Sequence, residues 1–87
     1  MSMQFLVQYS HSWDGGRQER DATVAVIEDV YDDADVQVQE TGSDIKVFFI
    51  EGGNKKKIFS CPQRDMYRKY NWPARPKLAK VLQELQK

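Results

Sequence analysis

The stretch that decides the fold is IKVFFIEGGNKKKIFSC, which runs from Ile45 to Cys61. IKVFFI is the most strand-like part of the chain, and KKIFSC returns to strand formers after the turn. The intervening EGGNK contains Gly52 and Gly53, and glycine supplies the positive-φ residues that tight hairpin turns require. The stretch therefore predicts an antiparallel β-hairpin.

A β-α-β unit is predicted on the N-terminal side of this hairpin. QFLVQY, residues 4–9, and VQVQE, residues 36–40, have the composition and alternation of strands. Between them, residues 17–31 place aliphatic side chains on one stripe of a helix. Two strands joined through a helix are expected to be parallel, with a right-handed crossover.

The C-terminal part of the chain predicts one further helix. Residues 62–76 have no clean period, and Pro76 suits the first turn of a helix. The aliphatic stripe that follows consists of Leu78, Val81, Leu82 and Leu85. The predicted element order is therefore β-α-β-β-β-α. The fold class is α+β, a two-layer sandwich with a four-stranded mixed sheet and both helices on one face.

Composition limits the class of protein. A length of 87 residues without an internal linker predicts a single domain, residues 1–87. No apolar run approaches the ~18–20 residues that span a bilayer. One cysteine cannot form an internal disulfide, so a cytoplasmic protein without membrane association is expected. One histidine and one cysteine far apart are too few ligands, and no metal or cofactor is predicted.

The net charge of zero hides two opposite halves. Residues 1–51 hold 3 basic and 11 acidic side chains, whereas residues 52–87 hold 10 basic and 2 acidic ones. A basic half can meet nucleic acid, a membrane surface or an acidic protein. The two poles can equally be satisfied within the chain, or between copies of it by self-association.

Three stretches of the chain share their order with one known family. VQYSHSWDGG, residues 7–16, carries a tyrosine at the end of a strand that leads into a helix. TGSDIKVFFIEGGNKKKIFS, residues 41–60, joins two strands through a glycine turn, and YNWPARPKLAKVLQEL, residues 70–85, enters the last helix through an aromatic-proline step. These stretches resemble the selenoprotein W-like (Rdx-type) family. The resemblance covers nearly the whole chain and implies a thioredoxin-like topology.

The chain departs from that family at its redox motif. Family members end the first strand in Tyr-Cys-x-x-Cys or a selenocysteine variant, and matching Tyr9 places Ser10 and Trp13 at the two cysteine positions. Thiol–disulfide exchange needs an attacking thiolate and a resolving thiol, which these residues do not supply. The resemblance therefore implies a redox-inactive protein, and no catalytic residue is predicted. The vacated loop, a candidate partner-binding surface, comprises Ser10, His11, Ser12, Trp13 and Asp14.

The same loop raises the question of hydrolysis, since it holds two hydroxyls and the histidine. A nucleophilic serine needs a base within hydrogen-bond reach and a group that orients the base, a geometry that sequence neighbours rarely adopt. A hydrolytic site is not predicted. The ordinary interpretation is that Ser12 or Asp14 caps the first helix while Trp13 covers an edge of the core.

A basic-aromatic segment is the best positive signal for binding. Cations neutralise phosphates and aromatic faces stack on unpaired bases, so the mixture suits single-stranded nucleic acid. The alternative is that the aromatic residues pack on the core while the cations are solvated. The candidate surface comprises Lys55, Lys56, Lys57, Arg64, Tyr67, Arg68, Lys69, Tyr70 and Trp72.

Cys61 is the only thiol, and it lies among basic residues that would lower its pKa if they were close in space. A single-cysteine redox role therefore stands beside the commoner interpretation of a buried, inert cysteine. The predicted function is a non-catalytic protein-binding or adaptor module, whose partner is another protein. Single-stranded nucleic-acid binding and single-cysteine redox chemistry are the two alternatives.

Overall fold

The predicted hairpin is present, and a four-stranded sheet is built around it. The computed structural model describes residues 3–10, 17–41, 44–66 and 72–85. Its elements are β1 (Gln4–Ser10), α1 (Arg17–Val30), β2 (Asp35–Thr41), β3 (Ile45–Glu51), β4 (Asn54–Cys61), a 3-10 helix (Gln63–Met66) and α2 (Arg75–Glu84). This order confirms the predicted β-α-β-β-β-α arrangement. The short 3-10 helix lies in the stretch whose sequence shows no clean period.

The strands form one mixed sheet in the order β2-β1-β3-β4. β1 runs parallel to β2 and antiparallel to β3, and β3 runs antiparallel to β4. The parallel pair confirms the connection through α1, since parallel neighbours need a crossover rather than a tight turn. β2 and β4 are therefore the outer strands of the sheet.

The turn between β3 and β4 has the shortest common hairpin loop. Gly52 and Gly53 are its two residues, with φ of 59° and 83°, and Glu51 and Asn54 pair on either side of them. Positive φ at both positions is the combination whose twist matches that of the flanking strands. The two glycines thus hold β4 in register with β3.

Both helices pack on one face of the sheet. A buried cluster combines alternate residues of β1 and β3 with the apolar stripes of α1 and α2. Its fully buried aliphatic and aromatic members include Phe5, Val7, Ile27, Ile45, Val47, Leu78 and Leu82. Because successive strand residues point to opposite faces, the intervening residues of β1 and β3 lie on a face that neither α1 nor α2 covers.

Tyr31, just after α1, ties the two helices and the sheet together. Its ring stacks on Phe5 of β1 with ring centres 5.8 Å apart, and its hydroxyl donates a hydrogen bond to the backbone carbonyl of Leu82 in α2. Burial raises the pKa of this phenol. The tyrosine therefore stays protonated and remains a donor throughout the neutral range.

Candidate functional site

The candidate partner-binding loop of residues 10–14 begins at the end of β1. Tyr9, the residue before this loop, is buried, and the guanidinium carbon of Arg20 lies 5.4 Å from its ring centre. Ser10 is the last residue of β1 and pairs with Thr41 of β2. The other loop positions lie outside the described residues, so a partner-binding role for this loop stays a prediction. Those positions are His11, Ser12, Trp13 and Asp14.

A buried carboxylate follows this loop, and the sequence analysis missed it. Glu19, in the first turn of α1, is fully buried, as is Thr23 one turn later. The hydroxyl of Thr23 donates a hydrogen bond of 2.8 Å to the backbone carbonyl of Glu19. The helical period, extended backwards from Val26, marks both positions as inward-facing. Glutamate is rarely fully buried, so its charge argued against the inward-facing position that the helical spacing indicated.

Cys61, the candidate reactive thiol, is buried at the end of β4 with 9% of its surface exposed. The pKa of the thiol is raised to about 11, mainly by burial and in smaller part by the carboxylates of Asp65 and Asp44. Lys77 acts in the opposite direction with a smaller effect. The sequence left open whether basic neighbours lower this pKa, and the structure supports the commoner interpretation of a buried cysteine, because burial and two carboxylates outweigh one lysine. At neutral pH the group is a thiol, whereas disulfide exchange needs the thiolate.

The face that neither helix covers, called the uncovered face, has a regular pattern set by strand register. From β2 to β4, three rows of opposed residues cross it. The first row is Asp35, Gln4, Ile50 and Lys55; the second is Gln37, Leu6, Phe48 and Lys57; the third is Gln39, Gln8, Lys46 and Ser60. Glutamines therefore lie toward β2, apolar side chains at the centre, and lysines toward β4.

The centre of the uncovered face is well packed. Leu6 is only 7% exposed although it is not part of the core cluster under the helices. Its neighbour Phe48 is half-buried, and beside them the side-chain amide of Gln8 donates a hydrogen bond of 2.9 Å to the carbonyl oxygen of Gln39. The centre of the uncovered face is therefore apolar and partly buried, with a hydrogen-bonded pair of glutamines beside it.

The basic-aromatic segment does not form one surface among its described members. Lys55 and Lys57 lie on the uncovered face, whereas Lys56 between them lies on the face that the helices cover. Trp72 lies in the helical layer, with its ring centre 4.7 Å from the guanidinium carbon of Arg75. A single surface is therefore wrong for these four positions, because strand alternation separates neighbours in the sequence. The side chains of Arg64, Tyr67, Arg68, Lys69 and Tyr70 lie outside the described part.

Trp72 and Arg75 form a ridge between two grooves on the helical layer. Trp72 has a φ of 47°, a conformation that bulky residues rarely adopt. A groove of about 560 Å³ lies on one side of the ridge and one of about 360 Å³ on the other. The larger is lined by Val26, Asp29, Val30, Pro76 and Ala79 together with the ridge. The indole is thus engaged by a cation and by α1, which leaves it poorly placed to stack on bases beside the lysines of β4.

The two outer strands differ in how their edges are protected. β4 carries three consecutive lysines, and its register with β3 shifts between Val47 and Phe48. Charged edge residues and bulges both hinder the addition of a further strand. β2 has an unbroken register with β1 and neither lysine nor proline, and its two charged residues, Asp35 and Glu40, lie near its ends. Its Val38 is 46% exposed, and no other large hydrophobic side chain of the described residues is exposed.

Comparison of the chain with models of protein families, with curated proteins and with solved structures finds no match. Within the described residues, no group of three or more His, Cys, Asp or Glu side chains is arranged to hold a metal ion. In the same part of the chain, no helix combines the length and the apolar character that crossing a bilayer requires.

Proposed function

We propose that this chain is a non-catalytic binding module of thioredoxin-like topology, similar to the selenoprotein W-like (Rdx-type) family, that binds another protein along the edge of β2. The sheet order and the β-α-β unit followed by a hairpin and a helix support this topology. The observation that carries the binding role is the unprotected edge of β2 with its exposed Val38.

The proposal of a non-catalytic role rests on the two positions that could have supplied a thiolate. Ser10 stands where the resemblance places the first cysteine, and a serine hydroxyl does not replace a thiolate at neutral pH. Cys61 has a pKa of about 11, so only about one molecule in ten thousand carries the thiolate at pH 7. Neither position favours thiol–disulfide exchange.

The edge of β2 supports strand addition for a geometrical reason. Among the described strands β2 pairs only with β1, so an extended segment can pair with the outward backbone N–H and C=O groups of β2. A side chain of that segment opposite Val38 would cover the exposed valine, which contributes about 1 kcal/mol for a partly exposed side chain. Backbone hydrogen bonds would supply affinity, and the contact with Val38 would fix the register.

The charges around β2 favour a basic partner. Asp35 and Glu40 are exposed near the two ends of the strand. Further exposed carboxylates come from the end of α1 and the turn that leads into β2, namely Glu28, Asp29, Asp32 and Asp33. Opposite charges attract across an interface and like charges repel, so two β2 edges would repel each other. The partner that fits is an extended segment in which basic and apolar residues alternate.

The test uses two short synthetic peptides, one alternating valine with lysine and the other valine with glutamate. Fluorescence anisotropy with the full chain is expected to show binding of the lysine peptide and none of the glutamate peptide. Val38→Lys places a charge on the β2 edge and is expected to weaken binding about tenfold or more. Ser60→Lys adds the same charge to the β4 edge and is expected to change binding less than about twofold.

Equal losses in Val38→Lys and Ser60→Lys would contradict the proposal, because they would show attraction by net charge rather than pairing at β2. Sedimentation of the wild-type chain gives a second readout. Self-association at the concentrations used, with no binding of the lysine peptide, would assign the edge to a second copy and overturn the proposed partner.

A further inference from the structure

We infer that the uncovered face of the sheet is a binding site for single-stranded nucleic acid, separate from the edge of β2. The main observation that supports this inference is the second of the three rows of opposed residues that cross the face. This row places, in order across the four strands, the amide of Gln37, the apolar Leu6, the ring of Phe48 and the ammonium group of Lys57. These are the groups that recognise a base edge, support a platform, stack on a base and neutralise a phosphate.

Phe48 supplies the stacking surface. Phe48 is half-buried and is paired across the sheet with Leu6 on β1 and Lys57 on β4, so part of its ring remains exposed. Bases stack on aromatic side chains in a way that tolerates any sequence, because every base has a π-face. A stacked base needs an unpaired nucleotide, which selects single strands over a duplex.

Three lysines lie on the uncovered face near Phe48, two on β4 and one on β3. Lys55 and Lys57 are two residues apart on one strand, which separates their Cα atoms by about 7 Å. Consecutive phosphates of an extended single strand can follow that spacing along β4. Lys46, opposite Ser60, adds a third cation at the other end of the face. A nucleotide stacked on Phe48 would therefore lie with its phosphate toward Lys57.

The β2 side of the face supplies neutral hydrogen-bonding groups. Gln37 is exposed and lies in the same row as Phe48, where its amide can donate to and accept from the edge of a stacked base. Asp35, in the first row, is the carboxylate on this face and repels phosphate. The strand path that fits these charges runs along β3 and β4, with the bases directed toward β1 and β2.

The observations favour nucleic acid over an acidic protein for this face. An acidic protein surface would be attracted by the same lysines, but its carboxylates would not interact favourably with the half-buried ring of Phe48 in the same row. Residues 52–87 also hold basic side chains that do not lie on this face, such as Lys77 and Lys80 of α2. The proposal predicts that binding depends on Phe48, Lys55 and Lys57 rather than on those charges.

The experiment measures the anisotropy of a fluorescent oligothymidine on titration with the full chain, between about 50 and 200 mM salt. Phe48→Leu keeps the apolar volume and removes the stacking ring, and it is expected to weaken binding about tenfold. Lys55→Ala with Lys57→Ala is expected to reduce the slope of log K against log salt by about 1.4, about 0.7 for each phosphate that is no longer neutralised.

Lys56→Ala is the matched control, because it removes a lysine from the same strand on the opposite face. It is expected to leave both the affinity and the salt slope nearly unchanged. Losses as large as those of the Lys55 and Lys57 variant would overturn the site, as would an unchanged affinity in Phe48→Leu. Equal binding of a duplex would overturn the preference for single strands. Full displacement by polyglutamate at matched charge would assign the face to an acidic protein instead.

The two proposals fail separately. Val38→Lys is expected to remove peptide binding and to leave oligothymidine binding intact, since Val38 lies on the helix-covered side of an outer strand. Phe48→Leu is expected to do the reverse. Loss of both activities in either variant would contradict the separation of the two surfaces.

Discussion

The two outer strands of the sheet, β2 and β4, have the same place in the fold and opposite chemistry. β4 is basic, bulged against β3 and fixed by a two-glycine turn. β2 is regular, has no basic residue and exposes Val38 next to a group of carboxylates. The unpaired backbone groups of an outer strand can pair with another chain, and the lysines and the bulge of β4 hinder such pairing. The difference indicates that pairing is suppressed at β4 and available at β2.

The largest expected effect on stability concerns β1, which is an inner strand of the sheet. Phe5 of β1 is fully buried and packs on Tyr31 and Phe49. Phe5→Ala is expected to lower the free energy of unfolding by about 3–5 kcal/mol, measured by urea denaturation. Val38→Ala, on the open edge, is expected to cost less than about 1 kcal/mol. Similar costs for the two variants would mean that Val38 is part of the core and not an accessible edge residue.

A second test removes the protection from β4. Replacing Lys55, Lys56 and Lys57 with threonine leaves a neutral strand of high β-propensity at the edge. This variant is expected to self-associate at concentrations of about 100 µM, as seen by sedimentation, while the wild-type chain remains monomeric. Lys77→Thr with Lys80→Thr removes charge from α2 and is the control. Self-association of that control would attribute the effect to net charge rather than to the edge.

A third test uses pH to act on the end of β4. Burial raises the pKa of Cys61 from 9.0 to about 11. Between these two pH values the thiol is neutral in the folded chain and ionised in the unfolded chain. The contribution of this thiol to the free energy of unfolding is fully present below pH 9 and is lost as the pH rises toward 11. The loss is expected to reach about 2 kcal/mol. In Cys61→Ala the free energy of unfolding is expected to decrease less between pH 9 and 11 than it does in the wild-type chain. Identical pH profiles for the two proteins would contradict the burial of the thiol.

The smallest expected effect concerns the turn that holds β4. Gly53 has a φ of 83°, and an added Cβ would meet no neighbouring atom, so Gly53→Ala introduces backbone strain without a clash. The expected cost is about 1 kcal/mol. Amide hydrogen exchange should accelerate in β3 and β4 near the turn and stay unchanged in β2. Acceleration in β2 as well would show that the two edges open together.

Much of the fold could be predicted from the sequence because its signals are local. The glycine pair, the alternation in residues 4–9 and the helical stripe before the C-terminus each report on their own segment. Those signals identified the hairpin, the parallel pair and the element order. The burial of Glu19 was also marked by helical spacing, but a charged residue type argued against it.

The candidate site was less predictable, because it depends on which strand residues share a face. Lys55, Lys56 and Lys57 look like one basic patch in the sequence, yet alternation places the middle lysine on the other side of the sheet. The pairing of Lys46 with Ser60 depends further on the register shift between Val47 and Phe48, which no local sequence pattern predicts. The raised pKa of Cys61 depends mainly on burial and also on two carboxylates, and only the fold brings about both.

The most direct test of the open edge is amide hydrogen exchange of the full chain with and without the peptide that alternates valine and lysine. Pairing at β2 predicts slower exchange at alternate amides of residues 35–41, centred on Val38, with no change in residues 54–61 of β4. Binding that slows exchange in β4, or that leaves β2 unchanged, would contradict the account.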